Sequence, residues 1–559
     1  MRIAFAGAVL TALALSACAG GAVASGSSAG PSSPADTPAD TATGSDRSGT
    51  APASADLAGA SPSPSGQWGP TPAELAAARQ QVAVWTPQQL AGQVIVGRFH
   101  GTDAKSAARL VGELHLAGIS LTGSNIEDAA QVRALTKAVT ATVAEDRPGT
   151  APVLSVDQEG GPVAHLRGVS TPLPSFMAAG AAMAGALAGD DPAAGDEAVG
   201  GLAEATALEL RSLGFTWIFA PVADVTIGPK DPIIRDRSAS SDPKVAAATV
   251  TAAVRGFASG AIVPVVKHFP GHGSVTEDSH KALPVQSATL AELTARDLVP
   301  FDAAVAAGTP AVMMSHLAVK AVDPGVPISL SAKGYALLRH RGFTGVAITD
   351  SLGMGAVKRG GDPVVRAIAN GADLALMPAD TRVSHAALVK AVQNGTVPRD
   401  RIQDAAAKVL ALQAHQYRQQ SQVAVPGDAA ARAGKAEAAL STAAVTLVRG
   451  SCPAEPLASV RVVSGSSADR RAFAAAAKRQ GLRTGSGPSL ALAGSSGGRA
   501  DIVAATGTAW TLPRSSGERV YALYSDTPGA FDGLAAALRT GTAPGRLPVS
   551  VAGVTPPSC

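Results

Sequence analysis

Cysteine, aromatic and charged residues are all scarce in this 559-residue chain. Aromatic side chains make up 3% of it and charged side chains 16%, and the formal net charge is +3. No basic block is interleaved with aromatic residues, which argues against nucleic acid as a partner. Beyond the first 18 residues no run of about 20 apolar residues occurs, so no spanning helix is predicted there.

Only three cysteines are present, Cys18, Cys452 and Cys559. The first follows "MRIAFAGAVLTALALSA", a short apolar run that begins with one basic residue and ends in small residues. This pattern is typical of a bacterial lipoprotein signal, in which Cys18 carries the lipid; a plain secretion signal with a coincidental cysteine is the alternative. In an exported chain the two remaining cysteines favour one disulfide, so we predict a Cys452–Cys559 bond. We expect the protein at the outer face of the cell membrane, facing the cell wall and held there by its lipid alone.

Composition divides the chain into four segments. Residues 1–18 are the predicted signal, and residues 19–66 consist almost only of Ala, Gly, Ser, Thr, Pro and Asp, which predicts a disordered tether. Residues 67–424 alternate short apolar runs with alanine-rich helical stretches. Residues 428–559 have a new pattern that predicts a smaller α/β three-layer sandwich domain.

Eight short apolar runs recur along the third segment, separated by stretches of helical periodicity. They are "AGQVIVGRF", "AGISLTG", "APVLSVDQEGG", "FTWIFAPVADV", "AIVPVVKHFPG", "PAVMMSHL", "GVAITDSLGM" and "ADLALMPAD". Buried runs that alternate with helices favour parallel strands with crossover helices. Eight such units favour a (β/α)8 TIM-like barrel over an open sheet.

Polar side chains follow five of the predicted strands. They are Asp157 and Glu159, Asp224, Lys267 and His268, Ser315 and His316, and Asp350. In a barrel these positions share the carboxyl-end face, where barrel enzymes build their sites. A capping or turn residue would explain any one of them, but not all five strands together. We therefore expect a catalytic site at this face.

The stretch "KHFPGHGSVTEDSH", residues 267–280, holds three of the ten histidines. A metal site built from His268, His272 and His280 is one interpretation, but their spacing fits none of the usual zinc patterns. A purely structural loop is another, although such a loop rarely needs Lys, His and Asp together. We favour a third, in which Lys267 and His268 bind substrate and the following loop carries a proton-transfer group.

Asp278 and His280 suit that proton-transfer role. A carboxylate that accepts the Nδ1 proton of His280 would orient the ring, leaving Nε2 to donate a proton to a leaving group and later to take one from water. Gly271 and Gly273 would let this loop move over a bound substrate. Asp350, at the end of the seventh predicted strand, would supply a carboxylate nucleophile. Together these groups correspond to the retaining glycosidase scheme.

The string "KHFPGHGSVTEDSHKALP", together with "VDQEGG", "IIRDRS" and "GVAITDSLGMGAV", resembles glycoside hydrolase family 3, and within it the bacterial β-N-acetylhexosaminidases. The resemblance runs from about residue 85 to about residue 550. It implies a nucleophile in Asp350, an acid/base in His280 with Asp278 as its partner, and sugar ligands in Asp157, Arg237, Lys267 and His268. Nothing in the sequence calls for a cofactor or a metal.

The chain departs from the family pattern at a few positions. Pro162 follows "EGG", where many relatives have arginine, and the next basic residues are His165 and Arg167. Ser274 stands where aspartate is common, and Ser351 where a second aspartate often follows the nucleophile. Neither serine is assigned a role in proton transfer or in covalent bonding, so all the residues assigned to hydrolysis are present.

The expected function is that of a retaining β-N-acetylglucosaminidase acting on terminal β-linked GlcNAc of peptidoglycan fragments or chitooligosaccharides, as a monomer. A β-glucosidase or β-xylosidase of the same family is the alternative among enzymes, and the "DSH" loop disfavours it. A non-catalytic sugar-binding lipoprotein is the alternative from another class. The intact nucleophile and Asp-His pair argue against that class.

Overall fold

The computed structural model describes residues 69–279, 282–357 and 360–557. Pro64–Cys559 form one compact unit. The predicted signal and tether, with Cys18, lie outside the described residues, as do His280 and Cys559. No helix among the described residues is both long enough and apolar enough to cross a bilayer.

Eight parallel strands form the first sheet. They are β1 (Ile95–Arg98), β2 (Gly118–Leu121), β3 (Val153–Val156), β4 (Trp217–Ile218), β5 (Val263–Phe269), β6 (Ala311–Met314), β7 (Val346–Thr349) and β8 (Ala375–Leu376). Strands β1 to β7 pair in chain order, and β8 pairs with β1. A parallel bridge between Ile348 and Leu374 closes the ring from β7 to β8. The predicted (β/α)8 barrel is confirmed, and each of the eight apolar runs supplies one strand.

The strands are buried on both faces, as their apolar runs predict. Trp217, Phe219, Met313 and Ile348 belong to the cluster that fills the barrel interior, and each is at most 2% exposed. Burying side chains of this size contributes roughly 1.5–3 kcal/mol each. Other side chains of the same strands, such as Leu154, join a second cluster under the helices. Polar groups on these strands can therefore reach a ligand only where the strands end.

The helices surround the barrel and cover the second domain. They are α1 (Pro72–Ala83), α2 (Pro87–Gln93), α3 (Ala104–Glu113), α4 (Ala129–Asp146), α5 (Phe176–Ala188), α6 (Pro192–Ser212), α7 (Pro243–Ser259), α8 (Leu290–Ala295), α9 (Val299–Ala306), α10 (Ala332–His340), α11 (Pro363–Asn370), α12 (Thr381–Gln393), α13 (Arg399–Gln422), α14 (Ala429–Ala444), α15 (Ser467–Arg479) and α16 (Pro528–Thr540). Many begin at a Thr, Ser or Asp cap. Thr289 illustrates this, because its Oγ1 accepts from the Glu292 N–H while the Glu292 carboxylate accepts from the Thr289 N–H.

A second sheet follows the barrel. Its strands are β9 (Thr446–Arg449), β10 (Ser459–Ser464), β11 (Arg483–Ala493), β12 (Ile502–Ala505) and β13 (Arg519–Ala522), in the order β9–β13–β12–β11–β10. Only the β9–β13 pair is antiparallel among these described strands. Along β11, Ala491 and Ala493 join the core cluster that also contains barrel residues, whereas Leu490 and Leu492 pack in a separate cluster with Phe473 of α15. Along β11, small residues thus face one side of the sheet and large ones the other.

Helix α14 packs against α5 and α6 and so connects the second domain to the barrel. Two hydrogen bonds reinforce this contact: Ser175 Oγ donates to the Tyr524 carbonyl at 3.0 Å, and the Arg546 N–H donates to the Ala181 carbonyl at 3.1 Å. Cys452 takes part in a disulfide. Because Cys559 lies outside the described residues, its pairing with Cys452 stays a prediction.

Candidate active site

The polar strand ends meet in one cavity at the carboxyl end of the barrel. Asp157 directly follows β3, Lys267 and His268 lie near the end of β5, and Asp350 directly follows β7. Arg237 lies in a short 3-10 turn between β4 and α7. These five side chains line a cavity of about 550 Å³. Its volume lies within the range of roughly 300–1,000 Å³ that is usual for small-molecule sites.

Lys267 is buried between two carboxylates. Its Nζ lies 2.5 Å from Asp157 Oδ1 and 2.6 Å from Glu159 Oε1. Burial alone lowers the pKa of Lys267, but the charges of Asp157 and Glu159 more than offset it and raise the pKa above its usual value. The ammonium therefore stays charged inside the cavity wall, where it can donate to a bound ligand.

Glu159 also binds Arg237 through both of its oxygens. Arg237 Nε lies 2.8 Å from Oε2 and Arg237 Nη2 lies 2.9 Å from Oε1. Burial raises the pKa of Glu159, but the charges of Arg237 and Lys267 bring it well below the usual range for a glutamate. A bidentate carboxylate fixes the plane of a guanidinium, so Glu159 orients both basic groups. Its position after β3 was visible in the sequence, but this role was not.

His268 is oriented by a buried carboxylate. Its Nδ1 lies 2.7 Å from Asp224 Oδ2, and the other oxygen of Asp224 accepts from the backbone N–H groups of His268 and His272. Burial raises the pKa of Asp224. The interactions with His268 and His272 together outweigh burial, so the net pKa lies below its usual value. An Nδ1–H that donates to this carboxylate turns Nε2 towards the cavity, where it lies 3.5 Å from Arg237 Nη2. The Lys267–His268 peptide bond is cis.

Asp350 is held as a carboxylate. Burial raises its pKa, but His316, His268 and the Ser351 N–H, which donates to Oδ1 at 2.7 Å, bring the pKa below the ordinary value for an aspartate. His316 is fully buried, and its Nε2 lies 3.0 Å from the Ser351 carbonyl oxygen. Ser315, although it follows β6, does not line the cavity. The deprotonated form of Asp350 is the one that can act as a nucleophile.

Arg98 supports the segment after Asp350 from the opposite side. Its Nη2 donates to Ser351 Oγ at 3.1 Å and to the Met377 carbonyl at 3.2 Å, which ties the end of β7 to the end of β8. A Cβ at Gly353 would lie 2.6 Å from that Nη2, so a glycine leaves room for the guanidinium. No sequence signal singled out Arg98, because its partners lie more than 250 residues away along the chain.

The loop that carries the predicted Asp278–His280 pair is described as far as Ser279. Asp278 lies within the described residues, and His280 lies outside them. Ser279 is buried, lines the cavity and lies 3.0 Å from His272 Nε2 through its Oγ. Burial lowers the pKa of His272 to about 4, so this imidazole is neutral at physiological pH.

Gly271 and Gly273 allow close packing at the start of the loop, while their expected role in loop movement stays a prediction. Gly271 has φ +124°, and a Cβ there would lie 2.8 Å from the Cβ of Asp297. A Cβ at Gly273 would lie 2.5 Å from the backbone oxygen of Val225. Both glycines bring the start of the loop against its neighbours, which fixes where the rest of the loop begins.

The two basic residues after Pro162 lie on different sides of a short hairpin, Gln158–Gly160 paired with Val163–Ala164. His165 lines the cavity with Asp350, whereas Arg167 donates to the Gly161 carbonyl at 2.7 Å on the other side.

Among the described residues, no group of three or more His, Cys, Asp or Glu is placed to hold a metal ion.

Comparison with known proteins adds a family and several named relatives. Residues 81–412 match the family described as Glycosyl hydrolase family 3 N terminal domain. The "Beta-hexosaminidase" of Xylella fastidiosa (strain M23) is 40% identical over 245 residues, which cover 44% of this chain and 69% of that protein. "Beta-hexosaminidase A" of Pseudoalteromonas piscicida is 31% identical over 289 residues, or 48% of this chain, and the match spans only about half of that relative, 47%.

One solved structure resembles both domains. The glycoside hydrolase family 3 β-N-acetylglucosaminidase from Paenibacillus sp. str. FPU-7 has a TM-score of 0.70 and 26% sequence identity. The match covers 84% of this chain and 99% of that one. The barrel and the second α/β domain therefore occur together in that relative as they do here.

Proposed function

Because this chain belongs to glycosyl hydrolase family 3 and is a glycoside hydrolase, we propose that it removes terminal β-linked N-acetylglucosamine with retention of configuration. The observation that carries the proposal is the position of Asp350, a partly buried carboxylate of lowered pKa in the cavity that Lys267, His268 and Arg237 also line. The names of the relatives support N-acetylhexosamine as the sugar. β-Glucosides and β-xylosides are the alternative substrates, and the test compares N-acetylglucosaminides with them.

The reaction proceeds in two displacements. In the first, a carboxylate oxygen of Asp350 attacks the anomeric carbon while His280 gives its proton to the departing oxygen, and a covalent glycosyl-enzyme forms. In the second, His280 takes a proton from water, the resulting hydroxide attacks the same carbon, and the Asp350 carboxylate is released. Asp278 stabilises the protonated form of His280, which is present before the first step and is regenerated in the second.

The remaining cavity residues bind and orient the sugar. Lys267 and Arg237 donate to its hydroxyl oxygens, and Asp157 accepts from a hydroxyl. Asp224 directs the Nε2 of His268 into the cavity, where it accepts a hydrogen bond from a further hydroxyl of the sugar. Glu159 keeps both basic side chains in place, so the sugar meets groups that need little reorganisation.

The proposal includes a place of action. A lipid on Cys18 would hold the enzyme at the outer face of the membrane, with residues 19–66 as a tether, and the nearby glycans would be peptidoglycan fragments or chitooligosaccharides. The enzyme would need no cofactor and act as a monomer. Metabolic labelling with a fatty acid, compared between the natural chain and Cys18→Ala, tests the anchor.

Side-by-side hydrolysis of chromogenic β-GlcNAc, β-glucoside and β-xyloside by the purified protein tests the activity. We expect a strong preference for β-GlcNAc and a β-configured first product by NMR. Asp350→Ala should lower kcat by at least about 1,000-fold because the covalent step depends on that carboxylate. Preference for glucose or xylose would refute N-acetylglucosamine as the substrate sugar. An α-configured first product would refute the retaining mechanism. An active Asp350→Ala variant would refute Asp350 as the nucleophile.

A further inference from the structure

A second cavity, of about 720 Å³, lies between the barrel and the second domain. The hairpin that follows β3 separates it from the catalytic cavity, because Glu159 and Val163 line the catalytic side while Gln158 and Ala164 line the other. The two cavities are therefore neighbours that share one thin wall. Nothing in the proposed reaction uses the second one.

The second domain contributes the ends of its parallel strands to this cavity. Ser495 follows β11, Thr506 follows β12, and Ser525 follows β13, and all three line it. In open α/β sheets, ligands bind in the crevice outside the carboxyl ends of the strands. The volume also lies within the range of roughly 300–1,000 Å³ found for ligand sites. Position and size thus match those of a binding site.

Three hydroxyl groups in the lining donate their protons to other protein atoms. Ser175 Oγ donates to the Tyr524 carbonyl at 3.0 Å, Thr171 Oγ1 donates to Glu209 at 3.1 Å, and Ser525 Oγ donates to Thr527 at 3.1 Å. A hydroxyl whose proton is engaged can still accept hydrogen bonds through its lone pairs. These groups therefore present acceptors, and a ligand must bring the donors.

The charges of the lining also favour a ligand that brings hydrogen-bond donors. Asp236 and Asp526 contribute carboxylates to the lining, and Asp236 has Arg235 and Arg237 as charged neighbours. Arg167 is the one basic side chain in the described lining, and its Nη2 already donates to the Gly161 and Pro162 carbonyls. A cationic, donor-rich ligand complements such a surface better than a neutral or anionic one.

We propose that this interdomain cavity is a second binding site for an amino sugar whose nitrogen is free, as in glucosamine oligosaccharides. The ammonium group would face Asp236 and Asp526, and the sugar hydroxyls would donate to the lining oxygens. Leu173, which also lines the cavity, would cover an apolar face of the ring. The proposal goes beyond the catalytic function and does not depend on it, because no catalytic residue takes part.

Calorimetric titration of the purified protein with the glucosamine dimer tests this site. Asp526→Lys reverses an exposed charge at the cavity, and Ser495→Trp fills the cavity from an exposed position. We expect each to weaken binding at least tenfold, whereas Glu518→Lys, an exposed acid of the same domain outside the lining, should leave binding unchanged. Asp350→Ala should also leave it unchanged, which separates this site from the catalytic cavity.

Two outcomes would overturn the proposal. One is no binding of the glucosamine dimer at millimolar concentration to the natural protein. The other is binding that neither Asp526→Lys nor Ser495→Trp weakens, with thermal melting showing both variants folded. The N-acetylated dimer serves as a comparison probe, because its neutral nitrogen should make it insensitive to Asp526→Lys. Loss of chromogenic activity would bear on the catalytic proposal alone.

Discussion

The Nδ1 of His268 lies 2.7 Å from the Oδ2 of Asp224, a carboxylate that is fully shielded from solvent. The same carboxylate accepts the backbone N–H of His272 at 2.6 Å. One buried group after β4 thus orients a cavity-facing ring and fixes the start of the loop that leads to Asp278. Ring and loop are coupled through Asp224, which makes it a positioning residue for both.

Asp224→Asn should therefore lower kcat/KM by about 10- to 100-fold, since an amide supports the wrong tautomer of His268 and weakens its orientation. The measurement is hydrolysis of chromogenic β-GlcNAc at several pH values. Asp469→Asn, which alters the cap of α15 in the second domain and lies outside the cavity lining, is the matched control and should leave kcat/KM unchanged. Equal activity of Asp224→Asn and the natural protein would contradict the positioning role.

Glu159→Gln should destabilise the protein at neutral pH by about 3–5 kcal/mol, because it removes one partner of a buried ion network. In the folded protein the pKa of Glu159 lies below its unfolded value. Its contribution to stability is therefore full above the unfolded pKa, about 4.3, and is lost as the pH falls towards the folded pKa. The difference in stability between the two proteins should shrink on acidification.

Urea unfolding of both proteins between pH 7 and pH 3 measures this difference. Glu518→Gln, at an exposed position, provides the control and should follow the natural protein at every pH. A constant difference between Glu159→Gln and the natural protein across the range would argue against a lowered pKa at Glu159.

His280→Ala should reduce turnover by about 100- to 10,000-fold on substrates with poor leaving groups, the usual contribution of a general acid. On substrates with strongly activated aryl leaving groups the first step needs little protonation, so the loss should be much smaller there. Kinetics on a series of aryl β-GlcNAc substrates measure the contrast. His340→Ala, on the exposed end of α10, is the control; a uniform loss across the series would remove His280 from the acid role.

Gly273→Ala should lower activity by at least about tenfold, because its Cβ would lie 2.5 Å from the Val225 backbone oxygen and the loop would have to move. Gly201→Ala, in α6 with open space around it, is the matched control and should keep full activity with slightly higher stability. Thermal melting and kcat/KM of both variants decide the matter. An unaffected Gly273→Ala variant would mean that the loop accommodates the shift without cost to catalysis.

The barrel could be predicted because its sequence repeats one local pattern eight times, and each repeat needs only short-range information. The position of Asp157, Lys267, His268 and Asp350 in one cavity follows from that topology, since parallel strands in a closed barrel end on one face. Predicting the barrel therefore also predicted that these four residues lie in one cavity.

The carboxylates that orient the site could not be assigned from the sequence in the same way. Glu159 binds Arg237 across 78 positions of the chain, and Asp224 binds His268 across 44. Both acids were recognised as strand-end residues, but their partners depend on how neighbouring strands and loops pack. Arg98 carried no signal at all, because an arginine at the end of a strand has many possible partners.

The small residues on one face of β11 and the packing of α14 on α5 and α6 have a practical consequence for dissecting this enzyme. A chain cut between α13 and α14 would expose apolar helix surface on the barrel and an alanine-lined sheet on the other half. The link at residues 423–428 joins two domains of one compact unit. Cleavage there by a protease should leave the two pieces associated, and each piece made alone should be prone to aggregate.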